Sequence, residues 1–227
     1  MSEAPQAHAP LSDLFASAVH RFGTVWADLL VASIVFVGLA SVPVITVHLT
    51  GGTAAATGIT TVFSYGIGYQ AFLAFVMLRG LPEPASRKRV TWTYGTAVLI
   101  GALTGVLELV PILQEFTLGL LPLFLFAVPG IAAGDASPGA VLPYSFGMAI
   151  RNFARTWAVW LITLVFSLPI VISMFLAVTA FTSGARAVLL ALLFSVPVVW
   201  PFSALFIRAL YGDLTGRLVV APQDRTR

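Results

Sequence analysis

The sequence predicts an all-α, polytopic membrane protein: six transmembrane helices with two interfacial amphipathic helices on the cytoplasmic side. Three observations predict it. Only 9% of the 227 residues are charged and 59% are hydrophobic, with a mean hydropathy of +0.97. A soluble domain carries about 25% charged residues to keep its surface wet. Six apolar stretches come close to the ~20 residues that cross a hydrocarbon core, and the basic residues fall between them very unevenly.

The stretches cover residues 25–48, 58–79, 92–114, 117–134, 157–181 and 187–210. Acidic and neutral polar residues precede the first, where a secretory signal would carry a basic segment. That run is also too long for a signal, so a retained span is expected. The fourth is the shortest and holds Pro122 and Pro129, which predicts a kinked, tilted or partly re-entrant segment. Pro43, Pro111, Pro169, Pro197 and Pro201 predict bends elsewhere. One membrane domain is expected over 11–217, with tails at 1–10 and 218–227.

Orientation follows from charge. With both termini inside, eleven of the twelve basic residues are cytoplasmic. They are Arg21, the four in RGLPEPASRKR (79–89), Arg151, Arg155, Arg208, Arg217, Arg225 and Arg227. Arg186 is the exception. Short cytoplasmic loops collect Lys and Arg, so the split predicts N-in and C-in. Trp26, Trp92 and Trp157 stand at the cytoplasmic ends of spans, at the depth where indole rings favour the headgroups.

The two amphipathic helices are expected at 11–24 and 138–156. The first sets Leu11, Leu14, Phe15, Ala18 and Phe22 against Ser12, Asp13, Ser17, His20 and Arg21. The second sets Leu142, Phe146, Ala149, Ile150, Phe153 and Trp157 against Arg151, Asn152 and Arg155. Such helices lie in the membrane plane with the cationic side toward anionic headgroups, each basic residue contributing about 1 kcal/mol. Arg21, Arg151 and Arg155, with Trp26 and Trp157, are therefore the candidate lipid contacts. At an offset of 131 residues, Ala18, Phe22, Trp26, Ala27 and Leu30 match Ala149, Phe153, Trp157, Ala158 and Leu161. Further on, Tyr69, Phe75 and Val76 fall over Trp200, Phe206 and Ile207. Two explanations stay open: a parallel internal repeat relating spans one and two to spans five and six, or similarity driven by composition alone.

Two runs carry a family resemblance. FLFAVPGIAAGDASPGAVLPYSFGMAIRNFARTW (124–157) has a span ending in Pro, an acidic-small turn with Ser-Pro, an amphipathic helix, then Asn-Phe and Arg before the next span. ALFIRALYGDLTGR (204–217) places a Tyr, an Asp and an Arg after the last span. Both resemble the membrane domain attached to bacterial glycerophosphodiester phosphodiesterases and the stand-alone YciC-like inner-membrane proteins. The resemblance covers roughly the second half of the chain, while the first half agrees only in layout. It implies a six-span fold in a bacterial cytoplasmic membrane. The sequence holds no phosphodiesterase domain, so that activity is not implied.

Chemistry is sparse. With no cysteine, disulfides, thiolate metal sites and cysteine nucleophiles are excluded. A net charge of +3 is too small to point to nucleic acid. HExxH, GxSxG, a P-loop and GxGxxG opening a helix are all missing, and His8, His20 and His48 form no cluster. No catalytic, metal or cofactor residue is expected.

Intramembrane polar residues are the remaining clue. Glu108 shares a stripe of span three with Gly101, Gly105, Ile112 and Glu115. The pairs Gly101/Gly105 and Gly130/Gly134 permit close helix approach and predict a hairpin of spans three and four with Glu108 facing protein. Glu108 reads either as a proton or cation site or as a carboxyl near the outer interface. Glu115 has Arg186 as its one available partner on that side, and His48 reads as interfacial. Arg208 and Asp213, five residues apart, are too far along the helix for a direct pair, so Arg208 is expected to snorkel toward headgroups. An arginine partner from an amphipathic helix is expected for Asp28. The leading expectation is a non-catalytic protein that binds anionic lipid, another membrane protein or a second copy of itself. The alternative is a small transporter with its path at the repeat interface and Glu108 as the coupling site.

Overall fold

The computed structural model describes residues 8–109, 119–183 and 185–217. Every regular element among them is helical: α1 (Leu11–Leu49), α2 (Ala54–Arg79), α3 (Arg87–Leu109), a 3-10 turn (Leu121–Phe124), α4 (Ala127–Ala133), a second 3-10 turn (Pro138–Ala140), α5 (Val141–Arg151), α6 (Phe153–Thr179) and α7 (Ala185–Leu214). Five of them, α1, α2, α3, α6 and Leu190–Leu214 of α7, are long and apolar enough to cross a membrane.

The fourth apolar stretch is built differently. Its start overlaps residues outside the described set, and the described part, Leu121–Ala133, reaches only ~20 Å at 1.5 Å per residue. Proline is the cause. Pro129 cannot donate to the Leu125 carbonyl, so no α-helix runs unbroken through that turn. Pro122 likewise opens a 3-10 turn. Gly134 ends α4 with φ +83, a left-handed conformation that glycine adopts at no steric cost.

The helices pack side by side in the order α3, α2, α1, α7, α6. α2 also touches α7, α4 fills the angle between α2 and α3, and α5 covers α4 and the first 3-10 turn. Ser145 of α5 locks that cover in place. Its hydroxyl donates to the Leu123 carbonyl at 2.6 Å and accepts from the Phe126 N–H at 3.1 Å, so it satisfies both sides of the break before α4. Proline also shapes α7. Pro201 offers no N–H to the Pro197 carbonyl, and the buried Ser33 hydroxyl of α1 supplies the missing donor at 2.9 Å. At the centre, Trp200 meets Tyr69, Tyr65 and Phe72 at ring distances of 5.7–6.3 Å. Gly68 makes the room, since a Cβ there would stand 3.0 Å from the indole.

The glycine stripe of α3 finds a different partner from the one expected. Gly101 and Gly105 face α2: a Cβ at Gly101 would lie 2.5 Å from the Ile67 Cα, and one at Gly105 would lie 2.9 Å from the Phe63 ring. Gly130 instead makes room for Tyr144, with 2.6 Å from an added Cβ to the ring, and Gly134 is the α4 cap against the Arg89 guanidinium. Small residues announce that a backbone can come close, but not whose.

The two amphipathic segments are also corrected. Residues 11–24 are not a separate helix, because α1 is continuous over 39 residues. Leu14 and Ala18 are fully buried, and Phe15 packs edge-on against Phe202 and Phe206 of α7. Leu14 and Ala18 are thus covered by protein, while Phe15 stays exposed at the edge of that contact. The second segment does break. α5 ends at Asn152, and α6 starts at Phe153. Val141, Ser145 and Ala149 turn inward, whereas Ile150, Arg151 and Phe153 are exposed and Phe153 stacks on Trp157 at 4.3 Å.

Contacts between distant residues gather six chain segments at one end of the bundle. Ala9 meets Asp213, Arg208 meets Gly80, Arg217 meets Asp135, Arg155 meets Asp213, and Arg89 lies against Gly134. The start of α1, the end of α2, the start of α3, the end of α4, the start of α6 and the end of α7 thus share this end.

Candidate functional site

Two ion-pair networks and a basic cavity stand out at the shared end. The first network joins the α4 cap to the end of α7. Arg217 grips Asp135 with both terminal nitrogens, at 2.7 and 2.6 Å. The Tyr211 hydroxyl donates to the same carboxylate and shares a hydrogen bond of 2.9 Å with the Tyr144 hydroxyl. Burial pushes the Tyr144 phenol above its usual range, and the hydrogen-bonded Asp135 raises Arg217. The Tyr144 phenol is thereby kept neutral and the Arg217 guanidinium charged near neutral pH.

The second network ties the start of α1 to α6 and α7. Asp213, whose side chain is 7% exposed, accepts from Arg155 at 2.7 Å and from the Ala9 N–H at 2.8 Å, with His8 Nδ1 at 3.3 Å. Arg155 also donates to the Ala9 carbonyl at 2.8 Å. Nearby, Arg79 closes on Asp28 at 2.5 Å.

Beside the first network, whose Tyr211 and Arg217 enter its wall, lies a cavity of ≈ 500 Å³. Arg21 of α1, Arg208 of α7 and Arg217 line it, together with Tyr211 and an apolar wall that includes Met77 and Leu205. Arg208 reaches across to the Gly80 carbonyl at 2.9 Å. It can do so because residue 80 has no side chain: a Cβ there would overlap the guanidinium at 1.9 Å. Among the described residues, neither Arg21 nor Arg208 has a carboxylate within ion-pair distance. Among the described residues no acid lines the cavity. The arrangement can bind an anion that carries an apolar body.

The sequence candidates divide accordingly. Arg21 lines the cavity, Arg151 is exposed, and Arg155 is turned inward onto Asp213 and withdrawn from headgroups. Trp26 is exposed and Trp157 half-buried. Arg208 does not snorkel but turns inward, and Asp213 finds Arg155. Asp28 has its arginine, from the end of α2 rather than from an amphipathic helix. Glu108 is exposed in the last turn of α3, and His48 is half-buried at the end of α1. Glu115 lies outside the described residues. Sequence reasoning missed Asp135, Tyr144 and Gly80. Asp135 reads as an ordinary turn residue, Tyr144 as part of an apolar helix face, and Gly80 as the start of a loop.

Among the described residues no three His, Asp or Glu side chains are placed to share a metal ion. The chain is thus defined as a helical protein with several apolar spans and a basic cavity at one end. In comparison with known proteins it matches no family, no curated protein and no solved structure.

Proposed function

We propose that this is a six-pass, non-catalytic protein of the bacterial cytoplasmic membrane that binds anionic lipid from its cytoplasmic side. The observation that carries this is the cavity where Arg21 and Arg208, beside Met77 and Leu205, have no acidic partner among the described residues. Two like charges in a partly buried site repel each other, and an anion between them relieves that repulsion. Apolar lining next to the charges suits a lipid better than a fully hydrated ion.

Six passes are supported by the path of the chain. α3 leaves the basic end, yet Gly134, at the end of α4, is back against Arg89, so the chain has returned to that end by residue 134. The cytoplasmic assignment rests on the basic residues that share this end. The motifs at 124–157 and 204–217 support kinship with the membrane domain of bacterial glycerophosphodiester phosphodiesterases. Their residues interlock, Asp135 with Tyr211 and Arg217, and Arg155 with Asp213. The proposed repeat has one point in its favour, since the matched pair Tyr69 and Trp200 touch, as residues beside a two-fold axis would. A transport path coupled at Glu108 needs a cavity reaching that carboxyl, whereas the basic cavity is lined from the other end of the bundle.

The protein purified in mild detergent should retain phosphatidylglycerol over phosphatidylcholine when both are offered. In the Arg21→Gln/Arg208→Gln variant, retention should fall about tenfold, the loss expected for roughly 1.4 kcal/mol. Arg151→Gln should change it far less. Unchanged retention in the double variant would remove the cavity from the account.

A further inference from the structure

We infer that the cavity takes a phosphate monoester, the dianionic head of a single-phosphate lipid, in preference to the phosphodiester head of a common anionic lipid. This names the ligand class for the anionic-lipid site proposed above and rests on that proposal.

The charge count at the site decides between the two. Among the described residues three guanidiniums line the cavity and no acid does. Arg217 is already neutralised, because Asp135 occupies both of its terminal nitrogens. Arg208 gives one nitrogen to the neutral Gly80 carbonyl, which leaves its charge uncompensated. Arg21 makes no ion pair among the described residues. Two unit charges therefore await an anion. A phosphodiester carries one negative charge and would leave a guanidinium unmatched. A monoester carries about −1.5 to −2 at neutral pH, with three terminal oxygens as acceptors. Guanidinium forks match such oxygens two at a time.

Shape favours a lipid as the source of that phosphate. The cavity, at ≈ 500 Å³, is in the range of sites for whole small molecules and exceeds what a bare phosphate fills. A second cavity of ≈ 250 Å³ shares Gly80, Leu205 and Arg208 with it and continues between α1 and α2 along Val25, Leu29 and Val76, with the paired Asp28 and Arg79 also in its wall. The guanidinium of Arg208 thus lines both cavities, with the apolar Val25, Leu29 and Val76 beside it in the second and Asp28 there already paired with Arg79. Gly80 allows this position, since any larger residue would displace the guanidinium.

The test uses the full chain in mild detergent with phosphatidic acid and phosphatidylglycerol offered together, and retained lipid measured by mass spectrometry. Phosphatidic acid should be preferred about tenfold at pH 8. The preference should shrink as pH falls through the second phosphate pKa of about 6, where the head loses its second charge. Arg21→Gln and Arg208→Gln should each bring the ratio near unity, and Arg208→Lys should keep part of it. Thermal melts establish that the variants fold. Equal retention of both lipids by the native chain would overturn the monoester inference and leave the anionic-lipid site standing. Retention of neither would overturn both. Displacement of phosphatidic acid by an equal concentration of glycerol 3-phosphate or inorganic phosphate would overturn the lipid as the source.

Discussion

Gly101→Ala is expected to destabilise the protein by about 1–3 kcal/mol, the range for forcing extra volume into a packed site. The added Cβ would stand 2.5 Å from the Ile67 Cα, 2.7 Å from the Ile67 nitrogen and 2.9 Å from the Gly66 carbonyl carbon. All three are backbone atoms of α2, so no side chain can rotate away and the helices themselves must separate. Alanine's better helix propensity, about 1 kcal/mol over glycine, offsets only part of this. Leucine at the same position should cost more. Gly95→Ala in the same helix is the control, because nothing lies within 4 Å of its added Cβ. It should be neutral or stabilising. Thermal unfolding in mild detergent reads the difference, and equal midpoints for the two variants would refute the close crossing of α2 and α3.

Asp213→Ala should have a comparable effect through charge rather than volume. Its side chain is 7% exposed and Arg155 is 21% exposed, so removing the acid strands a largely buried guanidinium and the Ala9 N–H. Breaking a buried pair in this way costs about 3 kcal/mol or somewhat more. Asp28→Ala tests the contrast. Its pair with Arg79 is more than half exposed on both sides, and such pairs contribute about 0–1 kcal/mol. Arg155→Met combined with Asp213→Ala should be less damaging than the sum of the single changes, because no unmatched charge remains. If the Asp213 and Asp28 variants melt together, the network around Ala9 is not holding the N-terminus.

The layout was legible because two strong signals carry it. Long apolar runs announce spans by length alone, and Arg and Lys mark one side of them. Boundaries followed less well where tertiary packing overrode local pattern. Residues 11–24 have the alternation of an in-plane helix, but Leu14 and Ala18 found protein to bury against and the helix ran on. The short fourth helix was foreshadowed by Pro122 and Pro129, whose effect on backbone donors is local and needs no partner. Pairings were the least legible part. GxxxG at 101–105 says that a helix comes near, and only the fold says that it is α2. Asp135 and Arg217 are 82 residues apart, and nothing in either neighbourhood names the other. The motif residues of 134–157 and 211–217 were visible as a pattern, while their mutual contacts were not. Arg208 was misjudged because snorkelling assumes open headgroup space, whereas Gly80 offers a nearer carbonyl.

Single-cysteine labelling tests the central claim most directly, since the native sequence has no cysteine to remove. Cysteines at Ala85, Ser137 and Thr215 should all resist a membrane-impermeant maleimide in intact cells and react once the cells are opened. Cysteines at Thr53 and Thr182 should react from outside. Labelling of Ser137→Cys from outside while Ala85→Cys stays protected would put Asp135 and the start of α3 on opposite faces. That result would contradict the gathered basic end on which the cavity depends.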